Sequence, residues 1–424
     1  MTRLLQPMLK EGLSYHPISF EDAYSTVASR CSSTIANQTL VMVSGDYSNE
    51  ELYLLQRLAR AGLHTNAITS FEYFNKSTAF FFDKNDIVPF AEILGASRIF
   101  IAWTPQADTP SAHAITHLLT SLAETPQYWF NQNGNLYIQD YTAFFRCLNR
   151  YLVEHNLAEG IYINGLGKNY DTYKAKLLAD DYEHMLAKNN LSDSDIANFV
   201  SLLEECKDEV FVVWEPLMSE RAVIELENLC MLLDIQSKPN AGFLCIKPTL
   251  NAQGLFDMGC FPSRGVGSES LDEMVQRATK QGLPSPCIEN INVEKSVLSG
   301  SFNNYLLFNS TGLDIPSSVL QQIRSCSFSM LHTAEWDEKD TSFDLLIPAA
   351  RPEEVTGSFT DSARIPHQSI PDIPCPFSYN NIEQFNLLNQ QLHLSTLDSP
   401  SDAFLEFITL FKAGCHSQER HFFR

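Results

Sequence analysis

The feature that most constrains the fold is a regular alternation of short apolar runs with helix-like segments along most of the chain. The first run, TLVMVS at 39–44, precedes Gly45 and then Ser48 with Glu51, which have the spacing of a helical capping box. Further apolar runs lie at 98–103, 209–214, 242–247, 304–309 and 343–348. Helix-like periodicity lies at 140–157, 192–206 and 219–234. This alternation predicts α/β architecture, with parallel sheets covered by helices on both faces.

Length and composition restrict the possible classes of protein. A chain of 424 residues exceeds the size at which a single core usually keeps growing, so two domains are expected. Hydrophobic residues make up 44% and charged residues 19%, as in a globular protein. The formal net charge of -22 argues against a nucleic acid or an anionic membrane surface as the partner.

The cysteines and the N-terminal segment bear on cofactors and location. Ten cysteines are scattered without any Cys-x-x-Cys pair, a pattern that disfavours iron-sulphur clusters and structural zinc. The segment MTRLLQPMLKEGLSYHP interrupts its apolar residues with charges, unlike a secretory signal, and no apolar run is long enough to span a bilayer. These observations favour a cytoplasmic protein, either free or peripheral to a membrane complex.

Two segments have an order of residues that is not generic. In the segment 343–368, an apolar strand ends at Pro348, two acidic residues follow, and Gly357 opens a polar turn with Ser358, Thr360 and Arg364. The segment 249–262 reads TLNAQGLFDMGCFP. Both segments resemble signatures of the molybdopterin oxidoreductase superfamily, which includes formate dehydrogenases and the large peripheral-arm subunit of NADH:quinone oxidoreductase. ISFEDA at 18–23 is similar to the family's entry into its first pterin-binding domain.

The resemblance implies two Rossmann-like, doubly wound α/β domains, one of them discontinuous. Residues 1–78 with 250–400 are expected to form the discontinuous domain, 79–249 the inserted domain, and 401–424 a C-terminal helix and tail. By comparison with the family, the chain is expected to lack the N-terminal iron-sulphur domain and the C-terminal β-barrel domain.

The resemblance also implies a set of residues that contact a pterin dinucleotide or its phosphates. The alternative interpretation is that the same residues are structural turns, because buried polar turns must satisfy their own backbone groups. Arg364 is the better candidate for binding an anion, because a guanidinium can donate two parallel hydrogen bonds. The candidate cofactor-binding residues are Asn251, Gln253, Gly254, Asp257, Gly357, Ser358, Thr360 and Arg364, with Gly259 in the same turn.

The chain departs from the family at the positions that carry catalysis. Asn75 and Lys76 lie near the position expected for the molybdenum ligand, and neither supplies a thiolate or selenolate. Lys247 and Thr249 are the nearest equivalents of a catalytic arginine and glutamine. Lysine keeps the charge of arginine but loses its planar fork of donors. No catalytic residue is therefore predicted.

The glycine-containing turns that approach the cofactor in the family are also replaced. The turn after the strand at 98–103 reads Ala102-Trp103-Thr104-Pro105, and the later turn reads Trp214-Glu215-Pro216. We predict that the Trp103 indole occupies space that the cofactor fills in catalytic members.

Other possible sites are weaker. The segment NGLGKN at 164–169 lacks the spacing of a phosphate-binding Walker A loop. His113 and His117 are one helical turn apart but have no recognisable third metal ligand. Cys415, His416 and His421 form a still poorer metal site near the terminus.

The leading hypothesis is a non-catalytic, scaffold-like subunit of a redox complex of the NADH:quinone oxidoreductase or formate dehydrogenase type. Its partners would carry iron-sulphur clusters and NADH or formate chemistry, and no cofactor is expected in this chain. The second hypothesis is one part of a split enzyme, in which another chain supplies the iron-sulphur domain and the molybdenum ligand. In that case molybdopterin guanine dinucleotide would bind. A free-standing carrier of nucleotide or pterin is the third.

Overall fold

The structure is a computed structural model in which the chain forms two compact units. Unit 1 comprises residues 1–76 and 249–414, and unit 2 comprises residues 77–248. The structure describes residues 2–32, 35–76, 90–103, 119–158, 169–206, 208–337 and 342–410, with the single positions 88, 116, 117, 160 and 163.

The strands and helices alternate along the chain. The strands are β1 Thr2–Arg3, β2 Met8–Glu11, β3 Ser14–Pro17, β4 Thr39–Val43, β5 Ile68–Ser70, β6 Arg98–Ala102, β7 Gln127–Trp129, β8 Glu209–Trp214, β9 Gly242–Ile246, β10 Asn304–Phe308, β11 Phe328–Thr333, β12 Glu335–Trp336, β13 Leu345–Pro348, β14 Gly357–Thr360 and β15 Pro366–Ser369. The α-helices in the described residues are α1 Phe20–Cys31, α2 Asn49–Arg57, α3 Phe90–Ile93, α4 Tyr141–Glu154, α5 Tyr170–Ala179, α6 Tyr182–Ala187, α7 Asp193–Glu204, α8 Glu220–Leu232, α9 Ala252–Asp257, α10 Leu271–Lys280, α11 Val293–Leu298, α12 Ser317–Ile323, α13 Asn381–Gln391 and α14 Pro400–Leu410.

Unit 1 is built on a seven-stranded sheet in the order β3-β2-β13-β11-β10-β4-β5. Strands β5, β4, β10, β11 and β13 are parallel, and β2 and β3 add an antiparallel hairpin at one edge. The parallel strands β4, β10 and β13 are buried along their whole length, as expected when helices cover both faces of a sheet. The small β14–β15 hairpin is separate from this sheet.

Unit 2 contains a four-stranded parallel sheet in the order β7-β6-β8-β9. Its core is aromatic: Phe100 stacks on Phe211 at 5.2 Å between ring centroids, and Phe199 packs against Phe100, Phe130 and Phe144. The side chain of Asp140 caps α4, and Ser192 with Asp195 forms a capping box at the start of α7.

The predicted α/β class with parallel sheets is confirmed. The capping box of Ser48 and Glu51 begins α2 as the sequence indicates. The sequence analysis did not identify β11, which is a further fully buried strand beside β10. In the described residues, no helix is long and apolar enough to cross a membrane.

Candidate functional site

The candidate site lies at the carboxyl ends of the parallel strands of unit 1. The strand order reverses between β4 and β10, because β5 lies on one side of β4 and the later parallel strands lie on the other. Ligands of open α/β sheets bind in the crevice at such a switch point. The loop after β4 begins with Ser44, Gly45 and Asp46, and the loop after β10 contains Ser310 and Thr311.

Asn251 is the centre of a polar network in this region. Its Nδ2 donates to the Tyr47 carbonyl at 2.8 Å and to Asn49 Oδ1 at 3.1 Å. Its Oδ1 accepts from the Thr360 backbone N–H at 2.7 Å. Asn251 is completely buried, and both polar atoms of its amide bond within the protein. These bonds hold the start of α2 and β14 beside α9.

Ser358 and Thr360 belong to the same network. Asn49 Nδ2 donates to Ser358 Oγ at 3.1 Å and to Thr360 Oγ1 at 3.0 Å. The Ser358 N–H and hydroxyl each donate to the Glu50 carboxylate at 2.8 Å. The predicted residues Asn251, Ser358 and Thr360 therefore lie together, and each of their hydrogen-bonding side chains has a protein partner.

Two of the predicted glycines are required by close contacts within the protein. A Cβ on Gly254 would lie 2.3 Å from both Asn251 Oδ1 and Asn49 Oδ1. A Cβ on Gly357 would lie 2.6 Å from Ser48 Cβ, at the start of α2. The space that these glycines provide is thus occupied by protein side chains.

Arg364 and Asp257, both predicted to contact the cofactor, form an ion pair. Arg364 Nη2 lies 2.6 Å from Asp257 Oδ1, and both side chains are largely buried. Gln253 Nε2 also lies near Asp257 Oδ1, at a long 3.4 Å. The predicted anion-binding guanidinium is therefore neutralised by a carboxylate of the same unit.

Arg60 holds the turn that follows α9, and the sequence analysis did not identify it. This arginine lies in a π-helical turn, Leu58–Gly62, and is completely buried. Its three nitrogens donate to five acceptors: Gln56 Oε1, Asn66 Oδ1 and the carbonyls of Gly259, Phe261 and Arg264. Gly259 has a φ of 77°, and a Cβ there would lie 2.6 Å from the backbone of Gly265. Arg60 therefore acts as a structural clamp, because it holds the turn that contains the Asp-Met-Gly part of the motif.

Unit 2 has a different set of residues at the carboxyl ends of its strands. Trp103 follows β6 and is 5% exposed, and its ring centroid lies 6.2 Å from that of Trp129. Asn131 Nδ2 donates to the Trp103 carbonyl. Lys247 Nζ lies 3.0 Å from Glu215 Oε1, and both side chains are buried. The lysine at the position of the catalytic arginine is thus paired within its own unit.

The remaining predicted positions do not join these groups. Asn75 and Lys76 are exposed in a turn at the end of the first segment of unit 1, where Asn75 has a φ of 60°. His117 is exposed. Thr104, Pro105, His113, residues 164–168, Cys415, His416 and His421 lie outside the described residues. Within the described ranges, no group of three or more His, Cys, Asp or Glu residues could hold a metal ion.

Buried carboxylates dominate the electrostatics at the edge of unit 1. Burial, followed by the charge of Asp46, raises the pKa of Glu72 to about 7, and burial raises the pKa of Glu51 to about 7. Burial also raises the pKa of Asp46. A pyrophosphate placed here would face these acidic groups, and the amide and hydroxyl side chains of the motif are bonded to one another. The residues present in unit 1 do not fit the phosphates of a pterin dinucleotide.

Residues 3–95 match the family model described as Molybdopterin oxidoreductase. Among curated proteins, "Probable oxidoreductase YjgC" of Bacillus subtilis (strain 168) is 21% identical over 399 residues. A "Putative formate dehydrogenase" of Staphylococcus aureus (strain bovine RF122 / ET3-1) is 20% identical over 403 residues. Both alignments cover 85% of this chain and 40% of the relative. The chain thus spans about two fifths of the length of these relatives.

Two solved structures have a similar fold. Acetylene hydratase from Pelobacter acetylenicus matches with a TM-score of 0.67 and 10% identity, over 92% of this chain and 62% of that chain. A chain of the formyltransferase/hydrolase complex FhcABCD from Methylorubrum extorquens, in complex with methylofuran, matches with a TM-score of 0.59 and 12% identity. The second match covers 91% of this chain and 98% of that chain.

The family-model match covers the N-terminal part of the chain, and the alignments with the curated relatives extend over 85% of it. The predicted resemblance to the molybdopterin oxidoreductase superfamily is confirmed by the family-model match over residues 3–95 and by these relatives, and the fold is mixed α/β with parallel sheets, similar to that of acetylene hydratase.

Proposed function

We propose that this chain is a non-catalytic subunit of a multi-subunit redox complex, in which the molybdopterin oxidoreductase fold serves as a scaffold. The observation that carries the proposal is the mutual pairing of the retained motif residues. Asn251, Ser358 and Thr360 bond with Asn49 and Glu50, and Arg364 pairs with Asp257. These contacts give the motifs a structural role that needs no bound cofactor.

The substitutions at catalytic positions support the same proposal. Asn75 and Lys76 supply no soft ligand for molybdenum. Lys247 is paired with Glu215 in the interior of unit 2, so the lysine charge is already balanced there. A fold does not transfer its chemistry when the chemical groups are replaced.

The extent of the structural matches is consistent with a subunit in a larger assembly. The matching chain of the formyltransferase/hydrolase complex is covered almost completely. A chain with a similar fold therefore exists as one component of a complex. We propose that the present chain is likewise one component, with partners that carry iron-sulphur clusters and NADH or formate chemistry.

The proposal is tested by isolating the native complex from the host at low salt and measuring its protein and metal content. We expect co-purification of an iron-sulphur or NADH-oxidising subunit, without stoichiometric molybdenum or tungsten per copy of this chain. Failure to isolate any redox partner would contradict the scaffold role. As a direct check, the purified chain should not bind a pterin dinucleotide at micromolar concentration in equilibrium dialysis.

The second candidate is a component of a split molybdopterin-dependent enzyme. It is favoured by one observation: the curated relatives include a "Putative formate dehydrogenase" of Staphylococcus aureus. In this case another chain would supply the molybdenum ligand and the iron-sulphur domain. Stoichiometric molybdenum or tungsten in the isolated complex, together with pterin dinucleotide binding that requires this chain, would favour the split enzyme over the scaffold.

A further inference from the structure

Two buried carboxylates meet at the switch point between β4 and β10. Asp46 is 5% exposed and Glu72 is 6% exposed. Glu72 Oε1 accepts from the Gly45 N–H at 2.7 Å and from the Thr249 hydroxyl at 2.8 Å. Asp46 Oδ2 accepts from the Thr311 hydroxyl. Because the Glu72 carboxylate accepts from the N–H of Gly45, the residue that precedes Asp46, the two acidic residues are neighbours at this edge.

Three buried oxygen atoms in this region have no hydrogen-bonding partner: Glu72 Oε2, Ser44 Oγ and Ser310 Oγ. Ser44 is completely buried and Ser310 is 1% exposed. Val43 and Phe308 are paired in register on the adjacent parallel strands, which places the serines beyond them at the same edge. The Ser44 hydroxyl is close enough to Asp46 to lower its pKa, although it makes no hydrogen bond of good geometry.

No basic side chain of the described residues forms an ion pair with either carboxylate. Burying a carboxylate without a counter-charge is costly, and each unpaired buried polar atom adds to the cost. A cation that accepts oxygen ligands would balance the charge and satisfy the three oxygens together. Water could satisfy the oxygens but would leave the repulsion between the carboxylates.

We propose that unit 1 binds one hard divalent cation between Asp46 and Glu72, with the Ser44 and Ser310 hydroxyls as further ligands. The site contains only oxygen donors, which suits Ca²⁺ and Mg²⁺ and disfavours metals that prefer sulphur or nitrogen. Its two carboxylates match a divalent charge. Because hydroxyl and carboxylate ligands from three loops form an irregular set, Ca²⁺ should bind more tightly than Mg²⁺, which demands near-octahedral geometry.

This site would have a structural role that is independent of any pterin. It would tie the loop after β4, which contains Asp46, to the loop after β10, which contains Ser310. Glu72 follows β5, so the cation would connect the ends of three adjacent parallel strands. Removal of the cation should therefore lower the stability of unit 1 at the edge where the family motifs lie.

The test uses the full-length chain, stripped of metal with EDTA and dialysed. Titration with CaCl₂ is followed by isothermal calorimetry and by the thermal unfolding temperature, with MgCl₂ and NaCl in parallel. We expect one Ca²⁺ per chain and a saturable rise in the unfolding temperature, with weaker binding of Mg²⁺. A chain that binds no divalent cation, and whose unfolding temperature is the same with Ca²⁺ and with EDTA, would overturn the proposal.

Variants separate this site from general binding of cations to an acidic protein. Glu72→Gln removes one charge at nearly constant shape and should weaken Ca²⁺ binding at least about tenfold. Glu51→Gln is the matched control, because Glu51 is also buried in unit 1 but is bonded to the Ser48 N–H rather than to this cluster. If Glu72→Gln does not fold, Ser310→Ala should weaken binding without removing a charge. Equal Ca²⁺ affinity in the wild type, the control and the site variants would show surface binding and overturn the proposal.

Discussion

The carboxyl edges of the two sheets are built from different kinds of residue. In unit 1, amides, hydroxyls and carboxylates bond with one another around Asn251. In unit 2, Trp103 follows β6 and Trp214 ends the adjacent strand β8 at the corresponding register position. The Lys247–Glu215 pair lies at the same edge. Both edges lie where an open α/β sheet usually binds a ligand. At the first edge the polar groups around Asn251 bond with one another, whereas the second edge carries large aromatic side chains.

The two edges illustrate two physical routes by which the end of a sheet can be stabilised by the protein's own side chains. A polar edge stays polar if each donor and acceptor finds a protein partner, because unsatisfied buried groups are costly. An edge that needed small residues for close approach to a ligand can instead be filled by an aromatic side chain, which buries a large apolar area. The two routes predict different responses to mutation.

The largest effect is expected for Arg60→Met in unit 1. The variant removes the donors to five buried acceptors, and each unsatisfied group costs about 1–3 kcal/mol. Because loss of the buried charge offsets part of this cost, we expect a net loss of about 5 kcal/mol in the free energy of unfolding. Urea unfolding followed by circular dichroism measures the change.

Arg277→Met is the control for Arg60, because Arg277 is also in unit 1 but is partly exposed. Because its ion-pair partner Glu269 is buried, the variant should lower the free energy of unfolding by about 3 kcal/mol, less than Arg60→Met. Hydrogen exchange should show increased exchange at residues 257–265 in Arg60→Met. Equal losses in the two variants would contradict the role of Arg60 as a clamp.

At the edge of unit 2, Trp103→Gly should lower the free energy of unfolding by roughly 3 to 5 kcal/mol, the range for loss of a large buried aromatic side chain. Trp129→Gly is the comparison, because Trp129 packs against Trp103 but is only half-buried, and its loss should cost less. Chemical denaturation measures both. Wild-type stability in Trp103→Gly would show that the indole does not fill essential space.

Asn251→Leu tests the polar network of unit 1 at nearly constant volume. The change leaves the Tyr47 carbonyl and the Thr360 N–H without their partner, so we expect a loss of about 3 kcal/mol. Gln253→Leu, two residues later and inside α9, removes only a long contact of 3.4 Å and should cost about 1 kcal/mol. A smaller loss for Asn251→Leu than for Gln253→Leu would contradict the stabilising role of the polar network around Asn251.

The last effect concerns acid and is smallest near neutral pH. Burial lowers the pKa of His332, in β11, to about 3, while hydrogen bonding to Gln384 acts in the opposite direction. Its Nδ1 lies 2.7 Å from the Tyr47 hydroxyl and its Nε2 lies 3.2 Å from Gln384 Oε1, which also accepts from the Tyr24 hydroxyl. The folded state therefore holds a neutral imidazole, and the unfolded state binds a proton below a pH of about 6.5.

Between a pH of about 6.5 and the folded pKa, this histidine should reduce stability by about 1.4 kcal/mol per pH unit as pH falls. The measurement is the difference in free energy of unfolding between the wild type and His332→Gln at each pH, in which the contributions of other buried groups cancel. Unit 2 has no histidine in its described strands, so hydrogen exchange at low pH should increase first in unit 1. A pH-independent difference would contradict the buried neutral state.

Several elements of the fold were predictable because their signals are local. The Ser48 and Glu51 capping box, the apolar runs at 209–214 and 304–308, and the helix that starts after Ser192 depend on neighbouring residues in sequence. Strand β11 was not predicted, because its sequence FSMLHT mixes polar and apolar residues. Ser329 is nevertheless buried because it bonds with Asp344, and His332 because it bonds with Tyr47 and Gln384.

The sequence also indicated which residues gather at the candidate site. Asn251, Ser358 and Thr360 lie together, and Arg364 lies beside Asp257. The sequence did not indicate that Arg60 is buried at this site or that Glu72 lies near Asp46. In the sequence LARAG, Arg60 cannot be distinguished from an ordinary surface residue of a helix. The backbone carbonyls that it binds belong to a turn about 200 residues later. Glu72 likewise lies 26 residues after Asp46.

The sequence by itself determined the alternation of strands and helices, the helix starts and the family motifs, since these depend on side-chain periodicity and short-range hydrogen bonds. Only the tertiary structure decided what the motif residues do. Whether an amide contacts a ligand or another side chain depends on which distant segments share the same space. In this protein, Asn49, Glu50 and Asp257 occupy hydrogen-bonding positions beside Asn251, Ser358 and Arg364, because the fold brings β14 close to the start of α2 and buried polar groups need partners.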